Sequence, residues 1–217
     1  AGVVERLAAR GHPLRLMTHF ASAHLRGDPD VERQLRRFEH ITTPGLERCL
    51  ANSSAIVAWP ATHAEWTRPG LLLYGVSPFA EDCGRDLGLA PAMTVTSSLI
   101  AVKSVPPGGA VGYGRACVCT QETRLGVVAF GYADGYPRHA ATGTPVLVNG
   151  VRTRLLGEAT MDMMMIDLNP VPAARVGDPV VLWGDGLPVE EIARCAGTIP
   201  YDLLCRMRMR ARFVEVA

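Results

Sequence analysis

The chain is punctuated in two different ways, and the change from one to the other, at Gly88, limits its fold more than any other feature. Before Gly88 short apolar runs alternate with helical patterns. Residues 14–20 form a nearly continuous apolar run ending in Thr18-His19-Phe20-Ala21. Asp28-Pro29-Asp30 opens a helix through His40 with Val31, Leu35 and Phe38 on one face. Residues 46–50 are a second strand candidate, leading through Ala51-Asn52-Ser53-Ser54-Ala55 into a brief helix, and residues 66–75 supply a third unit with Arg68-Pro69-Gly70 at a turn. Strands alternating with helices, with polar residues behind each strand, are the pattern of a parallel α/β fold, and α/β barrels bind their ligands at that end. Three such units are too few to close an eight-stranded barrel, so a partial (β/α)8 barrel is expected. Residues 2–10 read as a further helix, closed by Gly11 and His12-Pro13. The first residue is Ala1, not methionine, and it lies at the head of that helix, the start expected of a truncated chain.

After Gly88 short β segments follow one another: 93–105, 111–119, 125–130, 145–148, 163–168 and 179–183. They are separated by Pro106-Pro107-Gly108-Gly109, Asn149-Gly150 and Val176-Gly177-Asp178. This predicts an all-β, barrel-like domain. One helix, 189–196, interrupts it before Thr198-Ile199-Pro200-Tyr201 and a closing segment, 207–216. The expected division is therefore an α/β part over residues 1–88 and a β domain over 89–217.

Within the β domain, the run 125–130 drives into Gly131-Tyr132-Ala133-Asp134-Gly135 and on to Tyr136-Pro137-Arg138. Asp-Gly is strong turn chemistry, because glycine takes the positive φ that other residues resist. Two phenols and a guanidinium at a strand end can face a polar ligand; an ordinary β-turn flanked by amphipathic tyrosines is the plainer alternative. Val111-Gly112-Tyr113-Gly114 upstream and Gly157-Glu158-Ala159-Thr160-Met161-Asp162 downstream favour the ligand.

Composition removes several other classes. An apolar content of 48% with 20% charged residues describes a soluble globular protein, and a net charge of +1 gives no electrostatic basis for binding nucleic acid or an anionic membrane. No apolar run has membrane length. The six cysteines include no C-x-x-C pair and the six histidines no H-E-x-x-H, so no metal site is expected. Cys117 and Cys119 alternate about Val118 and are expected to face one way in a reduced core, which suits a cytosolic protein.

Taken in order, Thr18-His19-Phe20-Ala21, Ala51-Asn52-Ser53-Ser54, Arg68-Pro69-Gly70 with Leu73-Tyr74-Gly75, Val111-Gly112-Tyr113-Gly114, Gly131-Tyr132-Ala133-Asp134-Gly135, Met161-Asp162 and Thr198-Ile199-Pro200-Tyr201 resemble alanine racemase across the whole chain. The resemblance implies a pyridoxal 5'-phosphate (PLP) enzyme of the bacterial cytoplasm. Such an enzyme joins an α/β barrel to a C-terminal β domain, works as a head-to-tail homodimer, and interconverts L- and D-alanine for peptidoglycan. It implies that Tyr113 is a catalytic base reaching the other subunit's cofactor. Arg68 would bond the pyridine nitrogen with support from His19. Asn52, Ser53, Gly70, Leu71 and Tyr201 would be cofactor contacts, four of them (Ser53, Gly70, Leu71 and Tyr201) at the phosphate. Met161 would offer its backbone N–H to the substrate carboxylate, and His24, Tyr132, Arg138, Glu158 and Ile199 would line the entrance channel. Inverting a carbon needs a base on each face of a planar carbanion. A guanidinium keeps its proton, so it leaves the pyridine unprotonated and a weaker electron sink.

Each residue also has a plainer use: Tyr113 as a turn tyrosine, His19 as a satisfied buried histidine, Arg68 as surface, residues 161–165 as core. Two departures from the family stand out. Its Schiff-base lysine has no counterpart, since the only lysine is Lys103 in the β domain. Many members also carry aspartate where this chain has His24 and arginine where it has Glu158; the exchange reads either as a reversed charge pair across the dimer or as independent drift at two exposed, uncoupled positions. The expectation is the back portion of an alanine racemase, inactive alone. The alternatives are a non-catalytic module that pairs with a full-length racemase, and a serine or broad-specificity racemase.

Overall fold

The computed structural model describes residues 2–11, 13–41, 45–207 and 210–215. Ala1, His12 and residues 208, 209 and 216 of the closing segment lie outside these. The chain divides into two compact units, residues 1–82 and 83–217. No helix among the described residues is long and apolar enough to cross a membrane.

The first unit runs α1 (Gly2–Ala8), β1 (Arg15–Met17), α2 (Pro29–Ile41), β2 (Glu47–Asn52), α3 (Ser53–Ala58), β3 (Trp66–Arg68) and α4 (Gly70–Leu73). β1, β2 and β3 pair in that order, both pairs parallel. β1 is shorter than the apolar run that announced it, because from Thr18 onward the backbone leaves the sheet. α2 begins where Asp28 Oδ1 accepts the Asp30 N–H at 2.9 Å, an Asx turn that starts a helix locally. Its Val31 and Phe38 are buried with Phe20, Ala23, Leu50, Ala51 and Ala55, and Leu35 packs against them. Each large side chain in that cluster contributes about 1.5–3 kcal/mol by leaving water.

The second unit contains β4 (Val95–Val105), β5 (Ala110–Val111), β6 (Cys117–Val118), β7 (Thr123–Val128), β8 (Pro145–Val148), β9 (Val151–Arg154), β10 (Met164–Asp167), β11 (Pro179–Trp183), α5 (Val189–Cys195) and α6 (Pro200–Arg206). Six strands form one antiparallel sheet in the order β10-β7-β4-β11-β8-β9. Just past β9, Leu155 bridges Ile166 of β10, so the two edges meet and the sheet curls into a half-barrel that protects its edge groups. Val128, Val146, Val148, Met164, Ile166, Val180, Leu182 and Trp183 are completely buried in it.

Three sequence expectations change here. Residues 111–119 are not one strand: β5 and β6 flank a 3-10 turn, Tyr113–Arg115, with Gly112, Gly114 and Arg115 all at positive φ. β9 was not expected, although Asn149-Gly150 between Val148 and Val151 is a hairpin signal and both residues take positive φ. A second helix, α6, follows α5, started by Pro200 at the position where a missing N–H costs nothing. Cys117 and Cys119 do pack in one cluster with Val111, Leu125 and Leu156, and both are free thiols.

Candidate functional site

The carboxyl ends of β1, β2 and β3 carry the first group of residues. Asn52, at the end of β2, lies in register with Arg68 at the end of β3. The Arg68 guanidinium is tied at both terminal nitrogens. Nη1 donates to the Cys49 carbonyl at 2.8 Å and contacts Cys49 Sγ at 3.1 Å, while Nη2 donates to the carbonyls of Thr18 at 2.9 Å and Leu50 at 3.1 Å. His19 Nδ1 lies 3.5 Å from Nη2. Among the described residues the Nε–H has no acceptor, which leaves one donor to offer outward. Arg68 is thus no loose surface residue, and His19 is exposed rather than buried.

Ser53 is buried and its hydroxyl donates to the Pro69 carbonyl. That bond sets Ser53 beside the start of α4, where Gly70 takes a φ of +29° and a Cβ would stand 3.6 Å from Ser53 Oγ. The first N–H groups of a helix have no partner within it, and among the described residues those of Gly70 and Leu71 have no backbone acceptor. Asn52 has a different occupation. Its Oδ1 accepts the Ala55 N–H at 3.0 Å and caps α3, while Nδ2 reaches the Phe20 carbonyl at 3.5 Å. His24 is exposed in the loop before α2.

The second group lies in the second unit. Tyr113 is 85% exposed at the head of its 3-10 turn. Gly112 and Gly157 let that turn approach the Glu158 loop: a Cβ on Gly157 would lie 3.4 Å from the Val111 carbonyl oxygen. Glu158 is 3.6 Å from Arg138, both well exposed. Gly131 is a closer approach still. A Cβ there would sit 2.4 Å from the carbonyl oxygens of Thr160 and Met161, and without one the Tyr132 and Ala133 N–H groups reach those same oxygens, at 3.0 Å each. So one end of the half-barrel brings together Tyr113, Glu158, Arg138, Tyr132 and Met161. Tyr136, the other tyrosine of the 131–138 turn, is completely buried against Trp183.

Ile199 and Tyr201 belong to the start of α6 and remain 59% and 46% exposed. Partial burial pushes the Tyr201 phenol up from its ordinary value, which keeps it a hydrogen-bond donor. Cys49 and Arg210, which touches both Asp134 and Asp162, were not anticipated. Nothing local marks either one: Cys49 is an ordinary strand residue and Arg210 sits in an arginine-rich tail. Lys103 is exposed on β4, beside a shallow surface cavity lined by Ser104, Glu122, Arg124 and Asn169.

Two family models match the chain: the alanine racemase N-terminal domain over residues 1–78 and the alanine racemase C-terminal domain over residues 92–215. The alanine racemase of Nitrosomonas eutropha is 51% identical over 208 residues, covering 94% of this chain and 58% of the relative. The biosynthetic alanine racemase of Pseudomonas aeruginosa has a similar structure, with a TM-score of 0.89 at 46% identity over 96% of this chain and 60% of that one. The alanine racemase of Bartonella henselae, solved with covalently bound pyridoxal phosphate, superimposes with a TM-score of 0.86 at 23% identity, a likeness of fold alone. It too extends well beyond this chain, which covers 60% of its length.

Proposed function

The chain belongs to the alanine racemase family, and on that premise we propose that these residues supply one base, most of the cofactor cradle and the entrance of a PLP-dependent racemase that interconverts L- and D-alanine. The observation that carries this reading is the triple-anchored Arg68, held by three backbone carbonyls with one N–H left over, next to the Ser53–Gly70 recess at the same sheet end. A planar ring with an unprotonated nitrogen fits the former, and a phosphate fits the hydroxyl and unused backbone donors of the latter. Tyr201, on α6 of the second unit, keeps a phenol donor of the kind that binds phosphate.

Bound PLP supplies the electron sink that makes the Cα proton of an amino acid removable. The residues of this chain do the rest of what is proposed for them. Arg68 donates to the ring nitrogen and, keeping its own charge, does not hand over a proton. Tyr113, which reaches the site of the partner subunit in a homodimer, takes or returns a proton on one face of Cα. The Met161 N–H orients the carboxylate. Tyr132, Arg138, Glu158, Ile199 and His24 shape the way in. His24 reaching across the dimer would meet a Glu158 already shared with Arg138, and a pair this exposed is worth under about 1 kcal/mol.

The chain spans about 58% of the length of the curated relatives it matches. Its single lysine, Lys103, faces solvent on β4, so we assign these 217 residues no racemisation by themselves. The test is a racemisation assay with PLP on L-alanine and L-serine, run on the full-length protein and on the 217-residue chain. The reading expects the full-length protein to turn over alanine in preference to serine, indifferent to Lys103→Met, and the chain alone to be silent. A full-length protein without amino-acid racemisation contradicts it.

A further inference from the structure

The end of α6 comes close to the 131–136 turn. Gly135, at a φ of +116°, marks how closely: a Cβ there would lie 2.8 Å from the Arg206 carbonyl oxygen. Beyond that approach Arg210 sends Nε to Asp134 Oδ1 at 3.2 Å and Nη2 to Asp162 Oδ1 at 2.6 Å. Asp134 is itself fixed, since its Oδ2 accepts the Gly131 N–H at 2.9 Å and its side chain is only 13% exposed. Asp162 directly follows Met161. The two strips of chain that Arg210 spans are the two joined by the Tyr132–Thr160 and Ala133–Met161 backbone bonds.

We propose that Arg210 is a positioning residue of the substrate site: its guanidinium clamps the Tyr132 turn to the Met161 loop and so fixes the Tyr132 phenol relative to the Met161 N–H. The proposal rests on the reading above, in which the Met161 N–H orients the substrate carboxylate and Tyr132 shapes the way in to it. A guanidinium suits the task because its donors lie in one rigid plane and can serve two carboxylates at once. A lysine ammonium is a single point on a flexible stem and cannot hold both in that geometry. Arg210 touches neither substrate nor reacting atoms, and its effect is on the spacing of two loops rather than on the stability of the half-barrel. Exposed ion pairs seldom matter to stability, but here one carboxylate is largely buried and both belong to segments already bonded together.

Amide hydrogen exchange on the 217-residue chain tests the clamp without any turnover. In Arg210→Met the Tyr132 and Ala133 amides are expected to exchange roughly tenfold faster, the scale of a hydrogen bond to a charged group. The β8 and β9 amides stay unchanged, added guanidinium restores protection, and Arg210→Lys falls between. In the full-length protein KM for alanine rises several-fold, as about 1 kcal/mol of lost positioning would give, with kcat nearly constant, and guanidinium reverses the rise. Unchanged exchange at Tyr132 and Ala133, or a uniform increase across the second unit, overturns the proposal. Should the wild-type full-length protein not racemise at all, the functional reading fails while the exchange data still decide whether the clamp exists.

Discussion

Tyr136 is completely buried, its ring 6.1 Å from that of Trp183 at an interplanar angle of 28°. Neither its hydroxyl nor Trp183 Nε1 has a hydrogen-bond partner among the described residues. A buried hydroxyl left unpaired costs about 1–3 kcal/mol, so the ring contributes and the oxygen subtracts. Tyr136→Phe is therefore expected to leave stability equal or higher in urea unfolding at pH 7; a loss beyond about 1 kcal/mol would mean that the hydroxyl is satisfied after all. Burial also raises the phenol pKa, with the nearby Cys195 a smaller contributor. The folded state thus holds a proton that the unfolded chain loses near the ordinary tyrosine value of 10.0. The associated stability is complete below that pH and disappears as pH rises through the raised folded value, by up to about 1.4 kcal/mol per pH unit. Wild type should accordingly lose stability faster than Tyr136→Phe between pH 10 and 11, and parallel curves would refute the assignment.

Asn52 illustrates what an element asks of a residue that a motif assigns to a ligand. Its side chain caps α3, and the next residue, Ser53, owes its place beside Gly70 to where that helix starts. Asn52→Ala should cost about 0.5–2 kcal/mol, while Asn52→Ser and Asn52→Asp keep most of the stability. Calorimetry on the three variants separates a cap from a cofactor contact: a cap ranks them this way without PLP, whereas equal melting temperatures would leave only the ligand role. The elements were legible where apolar periodicity was strong. α2 matched its Val31, Leu35 and Phe38 stripe, and β8, β10 and β11 matched their apolar runs. β9 was not, because Arg152 and Arg154 interrupt any apolar reading and only its Asn-Gly turn announces it. α6 buries Leu203 fully and little else, so no stripe marked it. The Tyr113 turn looked like strand because Val111 and Cys119 bracket it with buried side chains, while the positive φ values that break it are invisible in the residue types of Arg115.

For the molecule as a whole, the two units meet different physical demands. Among the described residues the sheet of the first has three strands with β1 and β3 unpaired at its edges, and Met17, Ile41 and Leu73 expose most of their apolar surface. That of the second closes on itself through Leu155 and Ile166. Hydrogen exchange on the 217-residue chain should find the β2 amides far less protected than those of β7, and equal protection would show that the first unit is stable as it stands. The division into an α/β part and a β part was readable from punctuation alone, since strand–helix alternation and Gly/Pro-separated strands leave different patterns. The site was readable only as separate motifs: the Arg68 anchors are backbone carbonyls, which no side-chain pattern encodes. The central claim is that this chain carries one of the two bases of an alanine racemase, and the most direct test follows the Cα hydrogen. In D2O, the full-length protein with Tyr113→Phe should bind PLP as wild type does yet lose deuterium incorporation from one alanine enantiomer by about 10²–10⁴, retaining it from the other. Near-normal exchange from both enantiomers would make Tyr113 a turn residue and contradict the account.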